Sequence, residues 1–385
     1  MHSFQNKLTR LMRASQAAVS GLEGRQNPPS RLRELDGFAP NPGALRMFYH
    51  VPTHLPEQPA LVVVLHGCTQ SAAGYDHGSG WSTLADRCGF ALLYPQQQRA
   101  NNPNGCFNWF QPGDTRRGQG ETRSIREMIE RMIVDHNINR SRVFITGLSA
   151  GGAMTSAMLA TYPEIFAGGA IIAGLPHGVA KGVPEALASM KQCPVKSPAE
   201  WGNLVRSASQ HTGSWPRISV WHGTADRTVT PSSATEILKQ WKDVHGLTGA
   251  APSADTVDGY PRQVWRNAAG EEMIESYSIT RMAHGTPLAT GDRADQGGAA
   301  GAFLLDVGIS STYHIAKFWG LAASVPARET SYTRARLAPA LEPEAQHSHA
   351  PRTPMGEADG MSSGGIDVRA IINRALTSAG LLKDR

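Results

Sequence analysis

The sequence predicts an α/β fold in which a mostly parallel central sheet is flanked by helices. Two observations lead to this fold class. Short apolar runs of strand length recur along the chain, and most are followed by segments whose apolar residues repeat at helical spacing. With 40% hydrophobic and 18% charged residues among 385, the composition is that of a globular protein with a sizeable core. The length allows one large domain with extensions or two ordinary domains.

One strand, turn and helix organise the prediction. An apolar run at residues 143–146 has the bias of a buried strand, a glycine-rich break follows, and helical spacing then links Ala153, Met154, Ala157, Met158 and Ala160. Ser149 lies at the corner, inside a G-x-S-x-G pattern. In this context the pattern predicts a nucleophile elbow, a strained turn that projects a serine hydroxyl from the carboxyl edge of a sheet. The alternative is a glycine-rich turn that contains an ordinary serine.

The glycines around the serine have a steric reason. Gly147 and Gly151 flank Ser149 where a Cβ would collide with the neighbouring strand and helix, and Gly152 lets the helix begin close to the sheet. The helix N-terminus also presents unpaired N–H groups to an anion that forms at the serine.

Composition argues against several functions. The formal charge of +5 comes from scattered Lys and Arg, so nucleic acid is not an expected partner. The longest apolar runs, residues 61–65 and 170–173, are too short for a transmembrane segment. The four cysteines have no zinc-site spacing, and neither a metal nor an organic cofactor is expected. Arginines interrupt any apolar leader run near the N-terminus, which favours the cytoplasm.

The first strands place a second informative loop. Residues 1–42 are predicted to form a helical extension and a proline-rich connector, and strands are expected at residues 45–52 and 61–65. The second strand runs directly into His66, Gly67 and Cys68. In an α/β-hydrolase this loop supplies one backbone N–H of the oxyanion hole, so Cys68 and Ala150 are the predicted donors. The alternative is a tight turn with a packed thiol.

The middle of the chain alternates between core elements and a long loop. A helix is expected at residues 81–88 and a strand at 90–95, and a polar loop at 96–120 carries Trp109 and Phe110. These two rings either line a substrate pocket or anchor the loop to the core. A helix with Thr122 as its cap follows. After the elbow and a strand near residues 168–174, residues 175–216 are predicted to form a cap insertion with two short helices.

Two more strand ends carry ionisable side chains. A strand at residues 217–223 is followed by Asp226, and a predicted two-strand segment at 257–277 leads to His284. The chain order Ser149, Asp226, His284 is that of the α/β-hydrolase triad. His222, on the strand before Asp226, is interpreted as a packed core group.

The domain prediction follows from these elements. It consists of an N-terminal extension (1–42), a catalytic domain (43–325) that ends with a helix at 311–323, a flexible linker (326–365) and a C-terminal amphipathic helix (366–385). That last helix either docks on the domain or contacts an apolar surface such as a polymer or granule.

Several stretches together resemble the esterases of the poly(3-hydroxybutyrate) depolymerase family, which are related to feruloyl and acetylxylan esterases. The resemblance covers roughly residues 45–320 and is carried by residues 66–70, 106–110, 147–152, 162–166, 173–176, 222–226 and 282–285.

The resemblance implies a serine esterase with Ser149 as nucleophile, Asp226 as acid and His284 as base. It also implies that Cys68 and Cys106 pair, and Gln70 joins the two aromatic residues of the long loop as a candidate substrate-binding residue. Many family members are secreted, which differs from the indication of the N-terminus. No separate polymer-binding domain is recognised.

The predicted function is hydrolysis of carboxylic esters through an acyl-enzyme, on short-chain hydroxyalkanoate esters or their polyesters. Three alternatives remain at this point. They are a feruloyl or acetylxylan esterase, a non-catalytic granule-binding protein on a hydrolase scaffold, and a peptidase of the same fold.

Overall fold

The computed structural model describes residues 30–323. Most of the expected N-terminal extension, the linker and the C-terminal helix lie outside the described residues, so these parts of the domain organisation stay predictions. The structure describes the last part of the predicted connector, residues 30–42. This part contributes strand β1 to the sheet, so the sheet begins before residue 43, where the catalytic domain was expected to begin.

A ten-stranded sheet runs through the domain in the order β1-β2-β4-β3-β5-β6-β7-β10-β9-β8. The six strands from β4 to β10 in this order pair in parallel, and the strands outside them pair antiparallel. The predicted fold class is confirmed. The strands are β1 Arg33–Leu35, β2 Arg46–His50, β3 Leu61–Leu65, β4 Ala91–Gln96, β5 Val143–Leu148, β6 Gly168–Ile172, β7 Arg217–Gly223, β8 Ser253–Val257, β9 Tyr260–Arg266 and β10 Glu272–Ile279.

Helices cover both faces of this sheet, and each face has its own apolar cluster. The central strands β3 and β5 are buried along their whole length, as expected for parallel strands covered on both sides. The helices are α1 Ala72–Ser79, α2 Trp81–Cys88, α3 Pro112–Thr115, α4 Gly120–His136, α5 Ala150–Thr161, α6 Val183–Lys191, α7 Pro198–Arg206, α8 Ser232–Val244 and α9 Ser311–Phe318.

The segment before the last long strand differs from the prediction. Three strands form where two were expected, because β8 and β9 are joined by a tight hairpin. Asp258 and Gly259 in its turn have φ values of 47° and 87°, and an Asp-Gly pair with both φ angles positive is typical of a two-residue hairpin turn. A separate small sheet pairs β11 Thr286–Leu288 with β12 Leu304–Asp306.

Two helix boundaries also differ. Helix α4 begins at Gly120, and Thr122 lies inside it; its hydroxyl donates to the carbonyl oxygens of Arg116 (2.8 Å) and Gln119 (3.1 Å), so it does not cap the helix. The last helix ends at Phe318, and Gly320, with φ of 70°, follows it in the left-handed conformation.

The predicted cap insertion contains two helices, α6 and α7, as the sequence indicated. Helix α7 packs against α8, where the Trp201 indole donates to the buried carboxylate of Glu236 at 2.6 Å. None of the helices within residues 30–323 is long and apolar enough to cross a bilayer.

Candidate active site

Ser149 is the residue between strand β5 and helix α5. Its backbone has φ of 57° and ψ of −115°, a combination that a residue with a Cβ rarely adopts. The Ser149 N–H donates to the carbonyl oxygen of Ile172 at 2.9 Å, and its own carbonyl accepts from Ala153 N–H at 2.8 Å. The serine is therefore held at the strand-to-helix corner by hydrogen bonds to strand β6 and to helix α5.

The glycines beside the serine allow an unusually close approach of backbone segments. A Cβ on Gly151 would lie 2.4 Å from the carbonyl oxygen of Leu65 and 2.6 Å from that of His66, and a Cβ on Gly147 would lie 2.4 Å from Gly151 O. The steric prediction for both glycines is confirmed. The same contacts place the end of strand β3 directly against the first turn of helix α5.

The loops that carry Asp226 and His284 are tied together. Ala225 N–H donates to the carbonyl of Met282 at 3.0 Å, and Arg281 N–H donates to the Thr224 hydroxyl at 2.8 Å. Between these loops, His284 Nδ1 lies 2.7 Å from Asp226 Oδ2, and both side chains are buried. The structure thus brings together two of the three predicted catalytic residues, although they are 58 positions apart in sequence.

Asp226 is held as a carboxylate. Its Oδ1 accepts hydrogen bonds from Thr228 N–H (2.8 Å) and Val229 N–H (2.9 Å). Burial alone would raise the pKa of Asp226, but the hydrogen bonds and electrostatic attraction of the His222 and His284 rings outweigh burial and hold that pKa below its usual range.

Ser149 and His284 lie at the same edge of the sheet. Ser149 follows β5, Asp226 follows β7 and His284 follows β10, and these strands are parallel members of one sheet. Within residues 30–323 the Ser149 hydroxyl makes no hydrogen bond to His284. Catalytic hydrogen bonds are often longer in a free enzyme than in its complexes.

The loop of the predicted oxyanion hole is held by covalent and polar links. A disulfide joins Cys68 to Cys106, which confirms the pairing that the resemblance implied. Thr69 N–H also donates to Asn104 O at 2.8 Å. In the part of the chain that the structure describes, the backbone N–H groups of Cys68 and Ala150 donate to no protein acceptor, so both are free to meet an anion.

Gln70 supports the same loop from inside. Its side-chain oxygen accepts the Gly67 N–H at 2.9 Å, which fixes the turn just before Cys68. Gln70 also lines a polar cleft of about 340 Å³ together with Arg46, Gln98, Arg99 and Asn104. Gln70 therefore supports the loop that carries Cys68 and also faces the cleft beside that loop.

His66 is a neutral structural residue. Its Nε2 accepts the Gln97 N–H at 3.1 Å, so its Nδ1 carries the proton and donates to Gly67 O at 2.8 Å. Burial lowers the pKa of His66 to about 4, which keeps the ring uncharged near neutral pH.

A buried carboxyl group that the sequence did not reveal holds the long loop. Glu121 is fully buried and accepts hydrogen bonds from the Gln97 side chain and from Asn108 N–H. Gln97 in turn donates to Cys106 O at 3.1 Å. Burial, with a further contribution from Asp114, raises the pKa of Glu121 to about 8. The sequence indicated only that Glu121 lies in the first turn of a helix, and it did not indicate the burial of this residue or its hydrogen bonds.

An apolar wall lies beside the elbow. Trp109 and Phe110 are half-buried and meet edge to face with centroids 5.3 Å apart. Both pack on a cluster that includes Ala153 from helix α5 and Val229 from the Asp226 loop, along with Leu175, Val179, Ala180, Ala186, Cys193 and Trp201. The two rings therefore serve as loop anchors and also lie on the flank of the site.

His222 contacts Asp226, and this contact was not predicted from the sequence. It is buried, as expected for a core residue, but its Nε2 lies 3.3 Å from Asp226 Oδ2. One feature of the sequence could have indicated this contact: His222 and Asp226 are four positions apart, and the end of strand β7 lies between them. Among residues 30–323, no three His, Cys, Asp or Glu side chains are grouped so that they could hold a metal ion.

A strained serine after one parallel strand and a His–Asp pair after two others are the defining features of an α/β-hydrolase. Comparison with known proteins narrows this class. The Esterase PHB depolymerase family model matches residues 45–259. The chain is 48% identical over 291 residues to poly(3-hydroxyalkanoate) depolymerase C of Paucimonas lemoignei, covering 75% of this chain and 70% of that protein.

Two further relatives are esterases. Feruloyl esterase B of Neurospora crassa is 36% identical over 241 residues, covering 61% of this chain and 80% of that protein. The solved acetyl xylan esterase from Aspergillus awamori superposes with a TM-score of 0.64 at 26% identity, covering 76% of this chain and 99% of that one. The chain belongs to the PHB depolymerase family of esterases and is a carboxylic ester hydrolase.

Proposed function

We propose that Ser149, His284 and Asp226 form the catalytic triad of this esterase, with short-chain hydroxyalkanoate esters and their polyesters as substrates. The observation that carries the triad is the 2.7 Å contact between His284 Nδ1 and Asp226 Oδ2 at the sheet edge where Ser149 occupies a strained corner. This contact leaves His284 Nε2 as the nitrogen that can accept a proton.

The reaction divides between these groups. His284 Nε2 takes the proton of the Ser149 hydroxyl as Oγ bonds to the ester carbonyl carbon, and the carbonyl electron pair moves onto oxygen. The N–H groups of Cys68 and Ala150 stabilise this oxyanion. As the intermediate collapses, the C–O bond to the alcohol breaks and His284 returns the proton to the departing oxygen. Water then hydrolyses the acyl-enzyme by the same steps.

The substrate class is supported by the relatives and by the wall of the site. The chain is similar over most of its length to a poly(3-hydroxyalkanoate) depolymerase. Trp109 and Phe110 offer apolar surface beside the nucleophile, which suits a short aliphatic acyl group. The similarity to an acetyl xylan esterase makes acetylated polysaccharide the second candidate. Membership of an esterase family does not favour the non-catalytic alternative.

A Ser149→Ala variant tests the triad. We expect it to fold normally and to lose at least ~10⁴-fold in kcat for p-nitrophenyl butyrate, because no other group replaces the nucleophile. Circular dichroism controls for folding. Turnover within tenfold of the wild type would reject the assignment.

A substrate panel tests the acyl group in parallel. Wild-type protein and the alanine variant are compared on 3-hydroxybutyrate oligomers, amorphous polymer, methyl ferulate and acetylated xylan. The proposal expects the highest kcat/KM on the oligomers, and a preference for acetylated xylan would support the second candidate. Contact of the terminal helices with a polymer or granule surface stays a prediction, because those segments lie outside the described residues.

A further inference from the structure

Two histidine rings share one oxygen of Asp226. The backbone N–H groups of Thr228 and Val229 occupy Oδ1. Oδ2 receives His284 Nδ1 at 2.7 Å and His222 Nε2 at 3.3 Å. The backbone donors therefore fix only one carboxylate oxygen, and the oxygen that contacts His284 depends on the two rings for its position.

The surroundings of His222 define its protonation. Its Nε2 faces two acceptors, Asp226 Oδ2 and the carbonyl oxygen of Val229 at 3.0 Å, so this nitrogen must carry a hydrogen. Its Nδ1 is buried and has no hydrogen-bond partner among the described residues. The Nε2–H is thus shared between the Val229 carbonyl, at 3.0 Å, and the carboxylate oxygen of Asp226, at 3.3 Å, and the ring has a bare nitrogen on its other side.

A purely structural role does not account for this ring. A buried nitrogen without a partner costs free energy, and an apolar side chain of similar size would fill the same space without that cost. The polar edge of His222 has a favourable contact only where it meets Asp226 and Val229. The ionisable groups that act on Asp226 are the His222 and His284 rings themselves.

We infer that His222 is a positioning residue for ester hydrolysis, whose Nε2–H holds Asp226 Oδ2 in place against His284 Nδ1. The inference rests on the triad proposed above. His222 does not touch the substrate. It acts on the orientation of the carboxylate, and through the carboxylate on the tautomer and orientation of the base.

The test compares two substitutions at this position with a matched control. His222→Met fills the space without a donor, and His222→Gln places an amide N–H near the position of Nε2. His245→Met is the control, because His245 is a half-buried histidine whose Nε2 lies 3.0 Å from Pro216 O and contacts no carboxylate among residues 30–323. kcat and KM for p-nitrophenyl butyrate are measured from pH 5 to 9, with thermal unfolding of each variant.

A positioning role predicts a specific pattern. His222→Met should lower kcat about tenfold or more, the order of one lost hydrogen bond to a charged group, and leave KM within about twofold. The acid limb of its kcat/KM profile should move to higher pH, because a carboxylate with one donor fewer stabilises the protonated base more strongly. His222→Gln should recover most of kcat, and the control should match the wild type. Equal kinetics in His222→Met and the control would overturn the inference.

A second measurement uses the wild-type protein and does not depend on the folding of any variant. Histidine ¹⁵N correlation spectra of the wild type should show His222 as the tautomer protonated at Nε2, and protonation at Nδ1 alone would overturn the inference. Failure of the triad is distinguishable, because it appears as retained turnover in Ser149→Ala. An inactive Ser149→Ala together with unaffected His222 variants would reject the positioning role alone.

Discussion

At the scale of single residues, Gly151 shows how closely the elbow is built. The Cβ of an alanine there would meet two carbonyl oxygens at the end of strand β3, at 2.4 and 2.6 Å. Neither carbonyl can move without shifting the loop that carries Cys68. We therefore expect Gly151→Ala to lower the free energy of unfolding by about 1–3 kcal/mol and to reduce kcat, as measured by urea unfolding and ester turnover.

Gly113 supplies the control for this prediction. It lies in the short helix α3, and a Cβ added to it would meet no atom within 4 Å. Gly113→Ala should leave the free energy of unfolding and kcat close to the wild type. If Gly151→Ala had the same stability and kcat as Gly113→Ala, the result would contradict the close packing of strand β3 against helix α5 at Gly151.

At the residue scale, the sequence predicted position best where a motif lies at the end of a strand. Ser149, Asp226 and His284 each follow a predicted strand, so the sheet edge that they share could be inferred from the pattern. His222 could not be recognised in this way. It occupies a strand position that looks like core, and its contact with Asp226 depends on how the chain turns after Gly223. Glu121 was missed because its partners belong to a different, irregular segment.

At the scale of elements, the disulfide links the loop after strand β3 to the long loop before helix α4. Cys68 and Cys106 are 38 positions apart, and a link across such a loop stabilises a protein by about 3–4 kcal/mol in the chain-entropy model. We expect Cys106→Ser to lower the unfolding free energy by an amount of that order. It should also lower kcat, because the Cys68 N–H loses the covalent support of its loop.

A free cysteine provides the comparison for the disulfide. Cys88 is half-buried at the end of helix α2 and forms no disulfide. Cys88→Ser should change the melting temperature and kcat much less than Cys106→Ser. An equal effect of the two substitutions on kcat would show that the disulfide does not support the oxyanion loop. The spacing of the cysteines left this pairing open, and only the family resemblance indicated it.

At the scale of the whole molecule, the parallel centre of the sheet could be predicted better than its edges. Central strands are covered on both faces and appear in the sequence as continuous apolar runs, such as Leu61–Leu65. Edge strands carry mixed polar sequences, and β8 is mostly exposed, so no apolar run marks it. The Asp-Gly turn after β8 was the signal that could have identified it.

Two buried carboxyl groups each contribute a pH dependence to the stability of the whole molecule. Burial raises the pKa of Glu121 from 4.5 to about 8, and burial raises that of Glu275 from 4.5 to about 7 against the opposing effect of Arg262. At a pH between 4.5 and its raised pKa, each carboxyl group is protonated in the folded state and ionised in the unfolded state. At these two sites the folded state then binds more protons, so their contribution to the unfolding free energy falls as pH rises through this window.

The histidines His66, His177 and His245 act in the opposite direction, because burial lowers the pKa of each to about 4 and keeps the rings neutral in the folded state. The contribution of Glu121 is therefore measured as a difference between proteins. Compared with the wild type, Glu121→Gln should raise the melting temperature at pH 8 relative to that at pH 5.5, because the amide does not ionise and removes one of the two carboxyl contributions.

Glu130→Gln is the control, since Glu130 lies on the same helix with its side chain partly exposed and pairs with Arg140, which follows the helix. Scanning calorimetry of the three proteins at both pH values measures the slopes. Equal slopes in the wild type and Glu121→Gln would mean that Glu121 is ionised in the folded protein, and that the long loop is held by a charged carboxylate.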